Sequence, residues 1–504
     1  MDQRRVASLL AAVALTAGVT AAPTPAGLTP AGQYALATMA FAATLWVTGA
    51  LPLAVTSLLV PALLGVLGVY SRFEDALSGF ADPVVFLFLA TFVLAAALQR
   101  HGLDRRVALR LVARFGSSPR RLVLGVMVTT AVLSMVVSNT ATAAMMLPIA
   151  VGLVAELDAG DTDNLHVSLV LGTAYAASVG GVGTLVGTPP NAIAVATLRE
   201  TLGVDVSFFD WLAVGLPVVA VTLPVVWAVL TYWLYPPRVA DVSAARDAAR
   251  AELAGLGPLD AAARRTAGVF LAVAVLWVLG GLGFLAADVL PDAWHVTLFG
   301  GSGPSVFDTV GHTGVLYYAL VGLLAVPALV LLGCVDESDV FRGVDWPTLL
   351  LFGGGISLAD ALSDTHATEW LAAVVFDGLA LPVFLALVAL VVLVTVAFSE
   401  LASNTATVAI LAPVLVALGA TVAPAYGLTA AAAGVTLVLA AAVGASFGFA
   451  LPVATPPNAI AYGTGEVTRD QMLRAGLTLD VLFVPITTLL VTGVVALLLA
   501  VIAA

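Results

Sequence analysis

Apolar stretches long enough to cross a bilayer recur along nearly the whole chain, separated by short polar breaks. A membrane-spanning helix needs about 20 predominantly apolar residues. Runs of that kind lie near 6–22, 33–49, 52–69, 83–99, 165–195, 211–235, 266–286, 312–333, 344–363, 427–463 and 472–503. Two more, 122–155 and 381–418, are interrupted in the middle by Ser-Asn-Thr. Inside hydrocarbon, backbone polar groups find partners only within the chain, so repeated apolar runs fold as helices. The predicted fold is an all-α polytopic membrane protein, with about 11 transmembrane helices and two re-entrant hairpins whose polar tips are either buried in protein or line a watery cavity. Composition agrees. Only 10% of the 504 residues are charged and 61% are hydrophobic, against about 25% charged in soluble domains. The single cysteine, Cys334, excludes a disulfide framework. The formal charge of −12 argues against nucleic acid as a partner.

Arginine placement predicts the orientation. With the N-terminus in the cytoplasm, alternating crossings put 17 of the 19 arginines on the cytoplasmic side, leaving only Arg72 and Arg199 outside. The C-terminus is then outside, in a multi-pass protein of the cell membrane. Arg4 and Arg5 precede an apolar run ending near Ala21 and Ala22, a pattern that signal peptides share. A retained helix is preferred, because removing it leaves an even, less symmetric count of crossings.

The two halves resemble each other. SNTAT occurs at 138–142 and 403–407, and TPPNAIA at 188–194 and 455–461, at offsets of 265 and 267. FLFLATFVLAAAL at 86–98 aligns loosely with LLFGGGISLADAL at 350–362, offset 264. The predicted organisation is therefore a first helix over 1–30, a first repeat over 31–236, a cytoplasmic linker over 237–265 and a second repeat over 266–504. Each repeat carries a hairpin, 122–155 or 381–418, and a broken helix, 165–195 or 427–463. Five crossings plus one hairpin per repeat is an odd number, so the second copy is inverted. Inverted repeats with broken helices at matching positions mark secondary transporters, with the site at the repeat interface.

The motifs suit uncharged recognition of ions. Ser138, Asn139 and Thr140 at one tip, and Ser403, Asn404 and Thr405 at the other, offer hydroxyl and amide groups but no charge. Consecutive prolines at 189–190 and 456–457 cannot continue a helix, so each run unwinds its span and frees carbonyls beside Gly187 and Ala454. Helix N-termini favour anions, and freed carbonyls and helix C-termini favour cations. Duplicated halves then imply two cation sites flanking one anion site. Two candidate intramembrane acids stand out: Glu400 either supports the tip or carries protons, and Asp360 lies toward the outer end of its helix. No phosphate loop, metal-ligand spacing or nucleophile–base pattern appears, which argues against a pump or an enzyme.

Paired SNT and paired PPN motifs resemble the divalent anion–sodium symporter family. The resemblance implies a homodimer in the lipid bilayer, each subunit with a scaffold and a moving transport part; with the inverted repeat, this predicts an elevator-like or rocking displacement of the hairpin-bearing part. It implies sodium-coupled symport of small dianions, above all C4-dicarboxylates such as succinate, malate and fumarate. Sulfate, citrate and sodium-independent exchange stay open as alternatives. By the same resemblance, Ser138, Asn139, Thr140, Ser403, Asn404, Thr405 and Pro456 contact substrate. A first sodium site takes Ser134, Ser138, Asn139 and Gly187, and a second takes Ser399, Asn404 and Ala454. Ser399 stands where the family commonly has threonine, and Ala402 where it commonly has a hydroxyl residue.

Overall fold

The computed structural model describes residues 3–114, 118–154, 163–239, 242–286, 289–300, 314–376 and 381–503. Among these residues the regular structure is helical, and no strand forms. Eight helices are long and apolar enough to cross a membrane, among them Gln3–Ala21, Pro83–Arg100, Phe208–Leu234 and Arg469–Leu499. Shorter apolar helices, including Leu53–Val66 and Tyr318–Leu331, stand between them.

The apolar run read as starting at 266 belongs to a helix that begins at Ala261, inside the stretch assigned to the linker. Asp260 explains this. Its Oδ1 accepts the Ala263 N–H at 2.6 Å and starts the helix through a polar sequence. The linker's own helix is Ser243–Gly255. The arginine cluster at 100–121, read only for its charge, contains the helix Leu103–Val112, which buries Leu109 and Val112. Its counterpart at offset 264 is Ala367–Phe376.

Two bodies of helices can be distinguished. In the first, Leu53–Val66 packs on Trp346–Asp364, and their counterparts Tyr318–Leu331 and Pro83–Arg100 pack on each other. The run of three glycines in FGGGIS permits this contact, because a Cβ at Gly354 would collide with the Ser57 carbonyl. The helix pair Gln3–Ala21 and Pro30–Thr48 joins this body.

The second body holds both interrupted hairpins and both broken helices. Pro119–Ser134 and Asn139–Val154 form the first hairpin, and Phe384–Leu401 and Asn404–Val422 the second. Asp163–Val182 breaks over 183–188 and resumes as Pro189–Leu202. Ala430–Ala445 breaks over 446–455 and resumes as Pro456–Gly463. The halves interlock: Pro189–Leu202 lies on the second hairpin, and Pro456–Gly463 on the first. Tyr175, Phe447, Phe449 and Phe483 fill the seam as a buried aromatic cluster.

Candidate functional site

Four helix N-termini meet at one place. Asn139–Val154 and Asn404–Val422 start at the hairpin tips, and Pro189–Leu202 and Pro456–Gly463 start at the breaks. Proline in the first turn is favoured, because the N–H it lacks has no intrahelical partner there. Ser138 Oγ accepts the Ala141 N–H at 3.3 Å, and Thr455 Oγ accepts the Asn458 N–H at 3.2 Å. These side chains cap the ends and leave other first-turn N–H groups free for an anion.

The four ends line a cavity of about 920 Å3. Ser138, Asn139, Thr140, Ser403, Asn404, Thr405, Pro456, Gly187 and Ala454 all line it. So do Thr188 and Thr455, together with Trp46, Phe88, Thr91 and Phe92 from the first body. Among the described residues no basic side chain lines the cavity, and the only charged lining residue is Asp345, which is exposed. Ser134 and Ser399 do not line it; they lie fully buried behind the tips.

Behind the first tip, acceptor oxygens converge. One terminal atom of the Asn139 amide lies 2.7 Å from Ser134 Oγ, 3.1 Å from the Ala177 carbonyl and 3.3 Å from the Gly187 carbonyl. Ser134 Oγ itself donates to the Ala177 carbonyl at 2.7 Å. With no cation, the amide nitrogen in that position satisfies the carbonyls. With a cation, the amide oxygen turned inward completes a set of hard oxygen donors, which is the chemistry sodium takes. Gly181 makes room, since a Cβ there would strike the Asn139 amide.

The second tip repeats the pattern. Ser399 Oγ donates to Asn404 Oδ1 at 2.6 Å and also contacts the Ala445 carbonyl. Ala454 lies at the cavity wall beside this group. The carbonyls of Ala177 and Ala445 were not anticipated, because a backbone oxygen carries no mark in the sequence. Asn191 and Asn458 of the paired motifs brace the breaks. Asn191 Nδ2 donates to the Gly181 and Thr184 carbonyls at 3.0 and 2.8 Å, and Asn458 Nδ2 to the equivalent Gly448 and Leu451 carbonyls at 3.1 Å each.

Glu400 supports the second break. Its Oε1 accepts the Ala450 N–H at 2.7 Å and its Oε2 the Leu451 N–H at 2.9 Å. Asp480, which the sequence did not single out, is a second buried acid close to the same carboxyl group. Asp360 lies away from the cavity and accepts from Ser78 Oγ at 2.7 Å. Among the described residues, no cluster of His, Cys, Asp and Glu forms a metal site.

Known proteins with this sequence pattern decide the family. The model of the sodium:sulfate symporter transmembrane region matches residues 3–501. This chain belongs to the sodium:sulfate symporter family, the divalent anion–sodium symporters. An uncharacterized transporter of Haemophilus influenzae is 35% identical, covering 90% of each chain. The sodium-dependent dicarboxylate transporter SdcS of Staphylococcus saprophyticus is 32% identical, over 93% of this chain and 87% of its own. The same transporter of Staphylococcus aureus is 32% identical, over 91% and 85%. Among solved structures, MtrF of Neisseria gonorrhoeae aligns with a TM-score of 0.59 at 14% identity, over 97% of this chain and 93% of its own. The YdaH transporter of Alcanivorax borkumensis gives 0.56 at 18% identity, over 86% and 88%. These two share the fold. A member of this family is a multi-pass membrane transporter, not an enzyme, and sodium is its coupling ion.

Proposed function

We propose that this symporter carries small dianions together with sodium, with C4-dicarboxylates such as succinate, malate and fumarate as its main substrates. The observation that carries this reading is the cavity in which two Ser-Asn-Thr tips and two helix breaks face one another with no basic side chain. A dianion there relies on helix N-termini, hydroxyls and amides. Its charge stays uncompensated in low dielectric unless cations bind beside it, which makes sodium co-binding obligatory. Two tips suit a ligand with a carboxylate at each end. The 32% identity to sodium-dependent dicarboxylate transporters supports the same choice. Ser134, Ser138, Asn139 and Gly187 hold one sodium ion; Ser399, Asn404 and Ala454 hold the other.

In this reading the hairpins re-enter the membrane, the halves are inverted repeats, and the protein works as a homodimer in the cell membrane. The body of hairpins and broken helices moves as an elevator against the other body. The exposed lining residues Val47–Gly49 and Asp345, with the half-buried Thr348, mark the cavity mouth. They sit on the face that carries Arg342 and the Arg5–Ala50 hydrogen bond of 2.7 Å. That face is cytoplasmic by arginine placement, so the conformation is inward-open.

Uptake of labelled succinate and labelled sulfate into proteoliposomes, with and without an inward sodium gradient, tests the reading. Succinate uptake that depends on sodium is expected. Sulfate uptake alone, or succinate exchange indifferent to sodium, overturns it. A single cysteine placed at Ser243 should react only with reagent applied to the cytoplasmic face.

A further inference from the structure

Arg199 is one of only two arginines that the orientation leaves outside, and it is buried, at 7% exposure. It sits near the C-terminal end of Pro189–Leu202, in the hairpin body. Its guanidinium crosses to the other body. Nη2 pairs with Asp82 Oδ2, and Nη1 donates to the Tyr317 hydroxyl at 3.2 Å. Asp82 is itself 5% exposed and caps Pro83–Arg100, its Oδ1 accepting the Val84 N–H at 2.6 Å. Tyr317 stands just before the first residue of Tyr318–Leu331, the partner of Pro83–Arg100. Glu200 also contacts Arg199, but from the same helix, so it travels with it.

The duplicated fold supplies a comparison within the molecule. At offset 263, Asp345 occupies the place of Asp82 and caps Trp346–Asp364. Asp345 is exposed at the cavity mouth and makes no ion pair among the described residues. At offset 267, Glu466 occupies the place of Arg199 and pairs with His166 at 3.3 Å, within its own body. Where the pair between bodies is formed, the boundary is shut. At the corresponding place in the other half it is not formed, and the cavity is open.

We infer that the Asp82–Arg199–Tyr317 contact is a latch that holds the moving body in the inward-open position and must break before the site can face the other side. This rests on the two-body transport reading proposed above. When the bodies part, both charges return to water. When one partner is neutralised, the shut boundary keeps the other as an unpaired buried charge, so the balance shifts toward outward opening. An intact latch therefore favours the state that releases cargo to the cytoplasm.

The experiment uses the full-length protein with Cys334→Ser and a single reporter, Ala144→Cys, whose native alanine is exposed in the cavity. Membrane-impermeant maleimide is applied separately to each face of oriented vesicles. Asp82→Asn keeps a capping side chain and removes the charge, and Arg199→Gln removes the cation. Each should raise labelling from the face opposite the cavity mouth by about tenfold. Arg199→Lys should stay near the parent, and Tyr317→Phe should give a smaller rise in the same direction. If Asp82→Asn or Arg199→Gln fails to fold, Tyr317→Phe decides, because it leaves no charge unpaired. A lowered melting temperature with unchanged labelling means an ordinary structural ion pair and overturns the latch. If the parent is never labelled from the opposite face, even with sodium and succinate present, alternating access itself fails.

Discussion

The two helix breaks do the same job by different means. Each follows a buried helix, each precedes Thr-Pro-Pro-Asn, and each is braced by the motif asparagine on two equivalent carbonyls. The first break spans 183–188 and the second 446–455. Pro452 accounts for the longer one, since proline pushes the preceding residue out of the helical region. The Ala450 and Leu451 N–H groups then have no helical partner, and Glu400 takes both. In the first half the equivalent of Glu400, at offset 265, is Met135, and the equivalent of Asp480, at offset 261, is Val219. There the Gly183 N–H bonds the Gly180 carbonyl at 2.9 Å, and Thr184 Oγ1 bonds the Met135 carbonyl. An unwound segment can thus be stabilised from within its own turn or by a borrowed carboxylate. The fold accepts either, but only the second option places acid beside a proposed sodium site.

Matched substitutions in the two halves sharpen this contrast. The largest effect is expected at Glu400. Glu400→Ala strands two buried N–H groups, at about 1–3 kcal/mol each. Met135→Ala removes a half-buried apolar side chain and should cost about 1 kcal/mol. Thermal melts of the purified variants compare them, and equal losses would break the proposed asymmetry.

At the tips, the halves should behave alike. On the proposed site assignment, Asn139→Ala and Asn404→Ala each remove contacts to a charged ligand, about 1.5–3 kcal/mol. Succinate affinity should fall by on the order of 10- to 100-fold, and sodium dependence should weaken in the same variants, because linked sites are coupled reciprocally. Flux measured against both concentrations checks this. Normal affinities in folded Asn404→Ala protein would refute the second site.

A smaller, one-sided effect is expected behind the tips. In Gly181→Ala the new methyl group strikes the Asn139 amide, an overpacking worth about 1–3 kcal/mol. Its loss should appear mainly in sodium affinity. Gly448→Ala brings its methyl to 3.3 Å from the Ser399 carbonyl, which a slight shift relieves. Sodium titrations of the two proteins should differ, with Gly448→Ala close to the parent.

Much of this was legible because polar and helix-breaking residues are so costly inside apolar runs. Ser-Asn-Thr and Thr-Pro-Pro-Asn stood out on that ground alone, and the structure gathers all four around one cavity. What stayed hidden has two causes. The Ala177 and Ala445 carbonyls are backbone atoms at residues of no distinction. The Asp82–Arg199 pair and the placing of Asp480 near Glu400 span long separations, which periodicity does not report. The helix Leu103–Val112 was masked by its own arginines, two of which reach the linker: Arg105 pairs with Glu252, and Arg106 donates to the Gly257 carbonyl at 2.6 Å.

The peptide oxygens behind the tips also bear on how such a carrier evolves. A carbonyl cannot be deleted by a point substitution, so random mutation passes over much of the chemistry of the proposed sodium sites. The side chains that line the cavity, among them Trp46, Phe92 and Thr348, have no such protection. Changes of cargo within a lineage can therefore accumulate at the mouth while the coupling to sodium is inherited intact.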